Sequence, residues 1–116
     1  MERTRAFALA VTQFLRTLPK TEEAQDAARQ LRRAANSTRS NYRSARKGRS
    51  RAEFVAKLGV AREEADECLD WLEYMRDAKI AHNAALIEES KELSAILTAS
   101  VKTASRNAIR TRALRS

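Results

Sequence analysis

Two uninterrupted apolar stripes leave this chain few folds to choose from. Ala24, Ala28, Leu31, Ala35, Thr38, Tyr42 and Ala45 follow one another at steps of 4, 3, 4, 3, 4 and 3 residues. Phe54, Leu58, Ala61, Ala65, Cys68, Leu72 and Met75 repeat the same steps. An α-helix turns once every ~3.6 residues, so each run lies along one side of a helix and does not fit the period-two pattern of a strand. With no charged residue at any of these positions, each side is a seam to be buried along its length. Phe7, Val11, Phe14 and Leu18 form a shorter stripe before the pair. Leu86, Ser90, Leu93, Leu97, Ser100 and Ala104 form a fourth after it, with Ile87, Ile96 and Val101 alongside.

Breaks between the stripes are few, in a chain holding 2 glycines and 1 proline among 116 residues. Pro19 stops the first helix and Thr21 is placed to cap the second. Gly48 is the expected C-cap of the second, and Ser50 with Glu53 reads as a capping box opening the third. Asn83 is placed to cap the fourth. The predicted helices are 3–18, 22–46, 51–78 and 84–112. Short connections turn successive helices back on one another, so the expected architecture is all-α: an antiparallel up-down-up-down four-helix bundle, residues 1–116 forming one domain. The Ala-rich seam of the second helix lets its neighbours approach closely. Cys68, the sole cysteine, cannot form an internal disulfide, which fits a reducing, cytoplasmic setting. No apolar run reaches the length of a membrane span and no secretory leader is apparent, so a soluble chain without a membrane partner is expected.

The charge of +8 is segmented. Residues 29–51 hold Arg29, Arg32, Arg33, Arg39, Arg43, Arg46, Lys47, Arg49 and Arg51 and no acid, whereas 52–92 are strongly acidic and 93–116 again carry only cations. One step beyond each core position of the second helix come Arg29, Arg32, Asn36, Arg39, Arg43 and Arg46, a stripe about 100° around from the seam. Three readings compete. A solvated helix face is the plainest, yet a soluble face ordinarily mixes signs at i,i+4, and like charges there destabilise a helix. Polyanion binding is the second, because the planar guanidinium donates two hydrogen bonds to a phosphate and stays charged. The third is an interface with an acidic surface, such as the one the third helix carries at Glu63, Glu67 and Asp70, flanked by Trp71 and Tyr74. A basic face meeting an acidic face on the next copy is a contact that closes into rings. Trp71 suits either a partly buried core position or an interface anchor. Arg106 and Arg110 extend the positive charge, as a complement to a helix C-terminus or as further RNA contacts.

Familiar chemistry is missing from the pattern. His82 has no partner motif, Cys68 sits on a core stripe, and the residue three before His82 is Lys79 rather than the Glu of a metal-carboxylate bundle. No phosphate-cradling glycine loop or Ser/His/Asp set occurs. No enzymatic activity, cofactor or metal is expected, and no exposed aromatic platform for stacking bases is evident. Nucleic-acid contact would then run through phosphates, with weak sequence preference.

The segments "LRRAANSTRSNYRSAR", "SRAEFVAKLGVAREEADE" and "WLE" resemble the bacterial four helix bundle protein family, also known as the ribosomal RNA intervening-sequence protein family. "FALAVTQFLRTLP" is similar to its opening helix. The resemblance implies a helical bundle that assembles as a homopentameric ring, without catalytic residues. It also implies kinship with the accessory variability determinant of diversity-generating retroelements, a basic barrel that binds nucleic acid and partners a reverse transcriptase. The expected function is a non-enzymatic, homo-oligomeric scaffold binding RNA or DNA, with a reverse transcriptase as a further partner. The alternative is a self-assembly protein whose charges serve subunit contacts alone.

Overall fold

The computed structural model describes residues 2–115. They form four helices and, among the described residues, no strand: α1 (Arg3–Leu15), α2 (Glu22–Arg46), α3 (Arg51–Asp77) and α4 (Ala84–Arg115). Side-chain caps begin each helix. The Glu2 carboxylate accepts from the Thr4 hydroxyl and amide, Thr21 Oγ1 accepts from the Ala24 amide at 3.3 Å, Ser50 Oγ from the Glu53 amide at 3.1 Å, and Asn83 Oδ1 from the Leu86 amide at 3.0 Å. In each cap the amide bond satisfies a backbone donor that a helix start leaves without a partner.

Three details differ from the sequence expectation. α1 stops at Leu15, because the amides of Arg16, Thr17 and Leu18 reach back only three residues, a tighter 3₁₀-type turn that still buries Leu18. Lys47 rather than Gly48 caps α2, and no glycine has a positive φ. Gly48 is instead a matter of room: a Cβ there would lie 3.1 Å from the Ala45 carbonyl oxygen and 3.3 Å from the Phe54 amide nitrogen. The left-handed position is Lys79, at φ 60°. It ends α3 in a Schellman turn, the Ile80 amide bonding the Met75 carbonyl at 2.9 Å and the Lys79 amide that of Arg76 at 3.1 Å.

All seven stripe positions of α3 are buried except Phe54, which is half-buried. α2 buries its stripe except Tyr42, and adds Ala27 and Ala34. α2 packs most extensively on α3, α3 on α4, and α1 on α2 with a lighter touch on α4. Two apolar clusters result. The larger draws on all four helices, with Phe7, Val11, Leu31, Leu72, Met75 and Leu93 among its members. The smaller is alanine-rich, holds Ala45, Leu58, Ala61, Ala65, Leu97 and Ala104, and takes nothing from α1. The cause is length. α1 has 13 residues against 25 in α2, so it spans about 20 Å beside a helix of about 38 Å. Where α1 begins, the last turns of α2 pass beyond its cover.

Candidate nucleic-acid interface

The structure divides the arginine stripe at Thr38, which is fully buried and bonds its hydroxyl to the Ala34 carbonyl at 2.8 Å. Before it, two of the three arginines have acids, and Arg32 has none within ion-pair distance among the described residues. Arg29 pairs with Asp26 one turn back. Arg33 reaches across to α3, where it meets Glu64 at 2.9 Å and Glu67 at 2.6 Å. The packing of α2 on α3 aims the acidic side of α3 at this part of the stripe. Hydrogen bonding to Glu67, then to Glu64, raises the Arg33 pKa, and the same bond from Arg33 holds Glu67 below the usual carboxylate range against the opposing effect of burial. A second clamp ties α1 to α4: Arg3 donates to both oxygens of Glu89 at 2.7 Å and to Glu92, and it holds Glu89 below the ordinary range.

Beyond Thr38 the pairing ceases. Arg39 is half-buried and donates only to Asn36 Oδ1 at 3.3 Å. Arg43, Arg46, Lys47, Arg49 and Arg51 are exposed, and among the described residues none has a carboxylate within ion-pair distance. Arg39, Arg43 and Lys47 follow one another at i,i+4, a like-charge ladder that costs helix stability, partly offset because Arg43 and Arg46 stand in the last turn at the negative end of the dipole. These three residues form a ridge between two clefts. One cleft, of about 350 Å³, is lined by Glu2, Arg5, Arg39, Arg43, Arg46 and Lys47. The other, of about 640 Å³, is lined by the ridge with Ser40, Ser44, Arg49, Glu53 and Lys57.

Arg5 and Lys57 are the functional candidates that sequence reasoning missed. Arg5 belongs to a stretch of zero net charge and Lys57 to an acidic one, so no local signal marks either; only the packing of α1 and α3 against the end of α2 brings them to the ridge. Arg32 is exposed on α2 but lines neither cleft, and Arg106 and Arg110 are exposed on α4, also outside both.

The acidic candidates separate as well. Glu67 is engaged with Arg33 in its own chain. Glu63 is exposed and reaches only Arg62, at 4.0 Å. Asp70, Trp71 and Tyr74 line a third cleft of about 550 Å³ with Glu23, Asp26, Arg29 and Gln30. Trp71 packs partly against the large core cluster, whereas Tyr74 is 54% exposed; their rings meet edge to face at 5.6 Å and 82°. The Cys68 thiol is buried beneath α2, 4.0 Å from the Thr38 hydroxyl, and burial pushes its pKa up to about 12. Such a thiol stays protonated at neutral pH and is inert. Among the described residues no three potential metal ligands gather, and no helix is long and apolar enough to cross a membrane.

The family model described as 23S rRNA-intervening sequence protein matches residues 1–99. Among solved structures, a protein of unknown function from the S23 ribosomal protein family of Bacteroides thetaiotaomicron VPI-5482 is similar, with 25% identity and a TM-score of 0.79, over 86% of this chain and 92% of that one. No curated protein matches the chain.

Proposed function

The chain belongs to the 23S rRNA-intervening sequence protein family, and from that premise we propose that it is a non-enzymatic scaffold that holds RNA or DNA by its phosphates. The binding surface in this reading is the second half of the arginine stripe with the turn after it: Arg39, Arg43, Arg46, Lys47, Arg49 and Arg51. The observation that carries it is the run after Thr38, where six successive cations have no acid within ion-pair distance among the described residues, whereas before it Arg29 and Arg33 are paired and Arg32 alone is not. Like charges held together at a cost in helix stability need a counter-charge from outside the chain, and a phosphate backbone supplies one.

Assembly belongs to the same reading. The four helices are taken as an antiparallel up-down-up-down bundle, supported by the short connections and by the meeting of Ala45 near the end of α2 with Leu58 near the start of α3. The family resemblance supports a pentameric ring, in which Trp71 and Tyr74 are the anchors of the subunit contact. A reverse-transcriptase partner is the most specific form of this reading, favoured if the gene lies beside one. The cleft at Trp71 and Tyr74 favours a second reading, in which the charges serve self-assembly alone.

The double variant Arg39→Glu with Arg43→Glu separates the two. Retention of single-stranded RNA is expected to fall steeply with salt in the native chain, and the variant to lose about a hundredfold in affinity while sedimenting as the native protein does. An oligomer that falls apart in the variant, with no salt-dependent RNA binding by the native chain, would leave self-assembly as the function.

A further inference from the structure

We infer that the cleft between the first turn of α1 and the last turns of α2 is a seat for a phosphomonoester, the terminal phosphate of a nucleic-acid strand. The inference rests on the nucleic-acid reading above and names the group that this part of the surface takes. The cleft is concave and cations enter it from two helices, Arg5 from α1 and Arg39, Arg43 and Arg46 from α2, with Lys47 at its cap. Among the described residues Arg5, Arg43, Arg46 and Lys47 make no ion pair, although Arg3, two residues from Arg5, is clamped by Glu89 and Glu92. The one acid in the lining, Glu2, keeps its charge while it caps α1 through Thr4, so against five cations it leaves the recess strongly positive.

Shape selects the ligand. A continuing phosphodiester carries one charge per phosphate and runs along a surface, as the more open cleft on the other side of the ridge allows. A terminal monoester carries about −2 at neutral pH on three acceptor oxygens. It can enter a recess of about 350 Å³ and receive charge-assisted bonds from guanidinium groups on two walls at once. The wall supplied by Arg5 exists because α1 is short: the recess is the step where α1 begins.

The test compares the full-length chain binding one short single-stranded RNA of mixed sequence with a 5′-phosphate or a 5′-hydroxyl, along with the matching nucleoside 5′-monophosphate. The phosphorylated strand is expected to bind on the order of tenfold more tightly than the hydroxyl strand. The preference should shrink below about pH 6, where the monoester dianion takes up one proton and its charge falls to about −1. Arg5→Gln should erase the preference by weakening the phosphorylated strand far more than the hydroxyl strand, and Lys57→Gln should weaken both strands and keep their ratio. Arg5 is exposed, so helicity by circular dichroism should be unaltered; Arg46→Gln gives a second probe from the other wall. Equal binding of the two strands, or a preference that survives both Arg5→Gln and Arg46→Gln, would overturn the inference while leaving nucleic-acid binding intact. A free nucleotide that binds as tightly as the phosphorylated strand would also overturn it, in favour of a nucleotide site. If neither strand is retained at any salt, the nucleic-acid reading itself falls.

Discussion

The two halves of α2 carry three arginines each, Arg29, Arg32 and Arg33 before Thr38 and Arg39, Arg43 and Arg46 after it, but acids (Glu22, Glu23 and Asp26) only in the first, and they differ in their neighbours. Up to Ala35 the helix lies over the large core cluster, covered on one side by α1 and on another by α3, and Arg29 and Arg33 each find an acid. After Thr38 it lies over the alanine-rich cluster, α1 has run out, and the cations line open clefts. One helix therefore serves as a structural strut at its start and as a charged surface at its end. An arginine stripe that is continuous along a helix is therefore not continuous in its ion pairing. Its neighbours decide which guanidinium groups are already engaged.

The two halves of α2 should differ most in what their core residues contribute. Leu31→Ala, in the four-helix half, is expected to cost about 3–4 kcal/mol in chemical denaturation, because Leu31 is wholly enclosed and its packed neighbours can refill the space only in part. Leu58→Ala, in the alanine-rich half, should cost less, about 2–3 kcal/mol, since the half-buried Tyr42, Phe54 and Val55 beside it can settle into the gap. Equal losses would mean that the two clusters are one core. A smaller effect, with the opposite sign, tests the turn that closes α3: Lys79→Gly should stabilise the fold by about 0.5–1 kcal/mol by relieving a left-handed residue that carries a Cβ. A loss on this change would show that the Lys79 side chain contributes more than its backbone strain costs.

An effect of similar size concerns the contrast in charge. Arg33→Gln should cost about 0.5–1 kcal/mol at neutral pH, the scale of a half-exposed ion pair screened by solvent, while RNA affinity stays as in the native chain. Glu67 has a folded pKa below its unfolded value, so the unfolded chain binds more protons and the contribution of the clamp is present above the ordinary carboxylate range. It is lost as the pH falls through the depressed folded pKa. The stability gap between the native chain and Arg33→Gln should accordingly close as the pH falls from the ordinary carboxylate range through the depressed folded pKa of Glu67. A gap that persists in acid would show that the contribution of Arg33 is packing by its aliphatic stem.

Much of this was legible along the chain. The helical seams at 24–45 and 54–75, the caps at Thr21, Ser50 and Asn83, and the cationic side of α2 all follow from spacing and residue type. The early end of α1 was not, because Thr17 and Leu18 carry no helix-breaking signal of their own and Leu18 still fits the apolar period. The left-handed turn at Lys79 was hidden for a related reason: the residue usually found there is glycine, and lysine gives no hint that its backbone takes that form. Arg5 and Lys57 were invisible as partners of the ridge, lying in segments whose local charge points elsewhere.

Sequence alone determined that there are four helices, which side of each is buried and that one side of α2 is cationic, because periodicity and charge are local properties of consecutive residues. Beyond the local pair of Arg29 with Asp26, the packing of the helices sets which of those cations are neutralised and which stand around a recess. An ion pair such as Arg33 with Glu67, or a wall such as Arg5 beside Arg46, depends on the relative placement and lengths of different helices, which no single helix encodes.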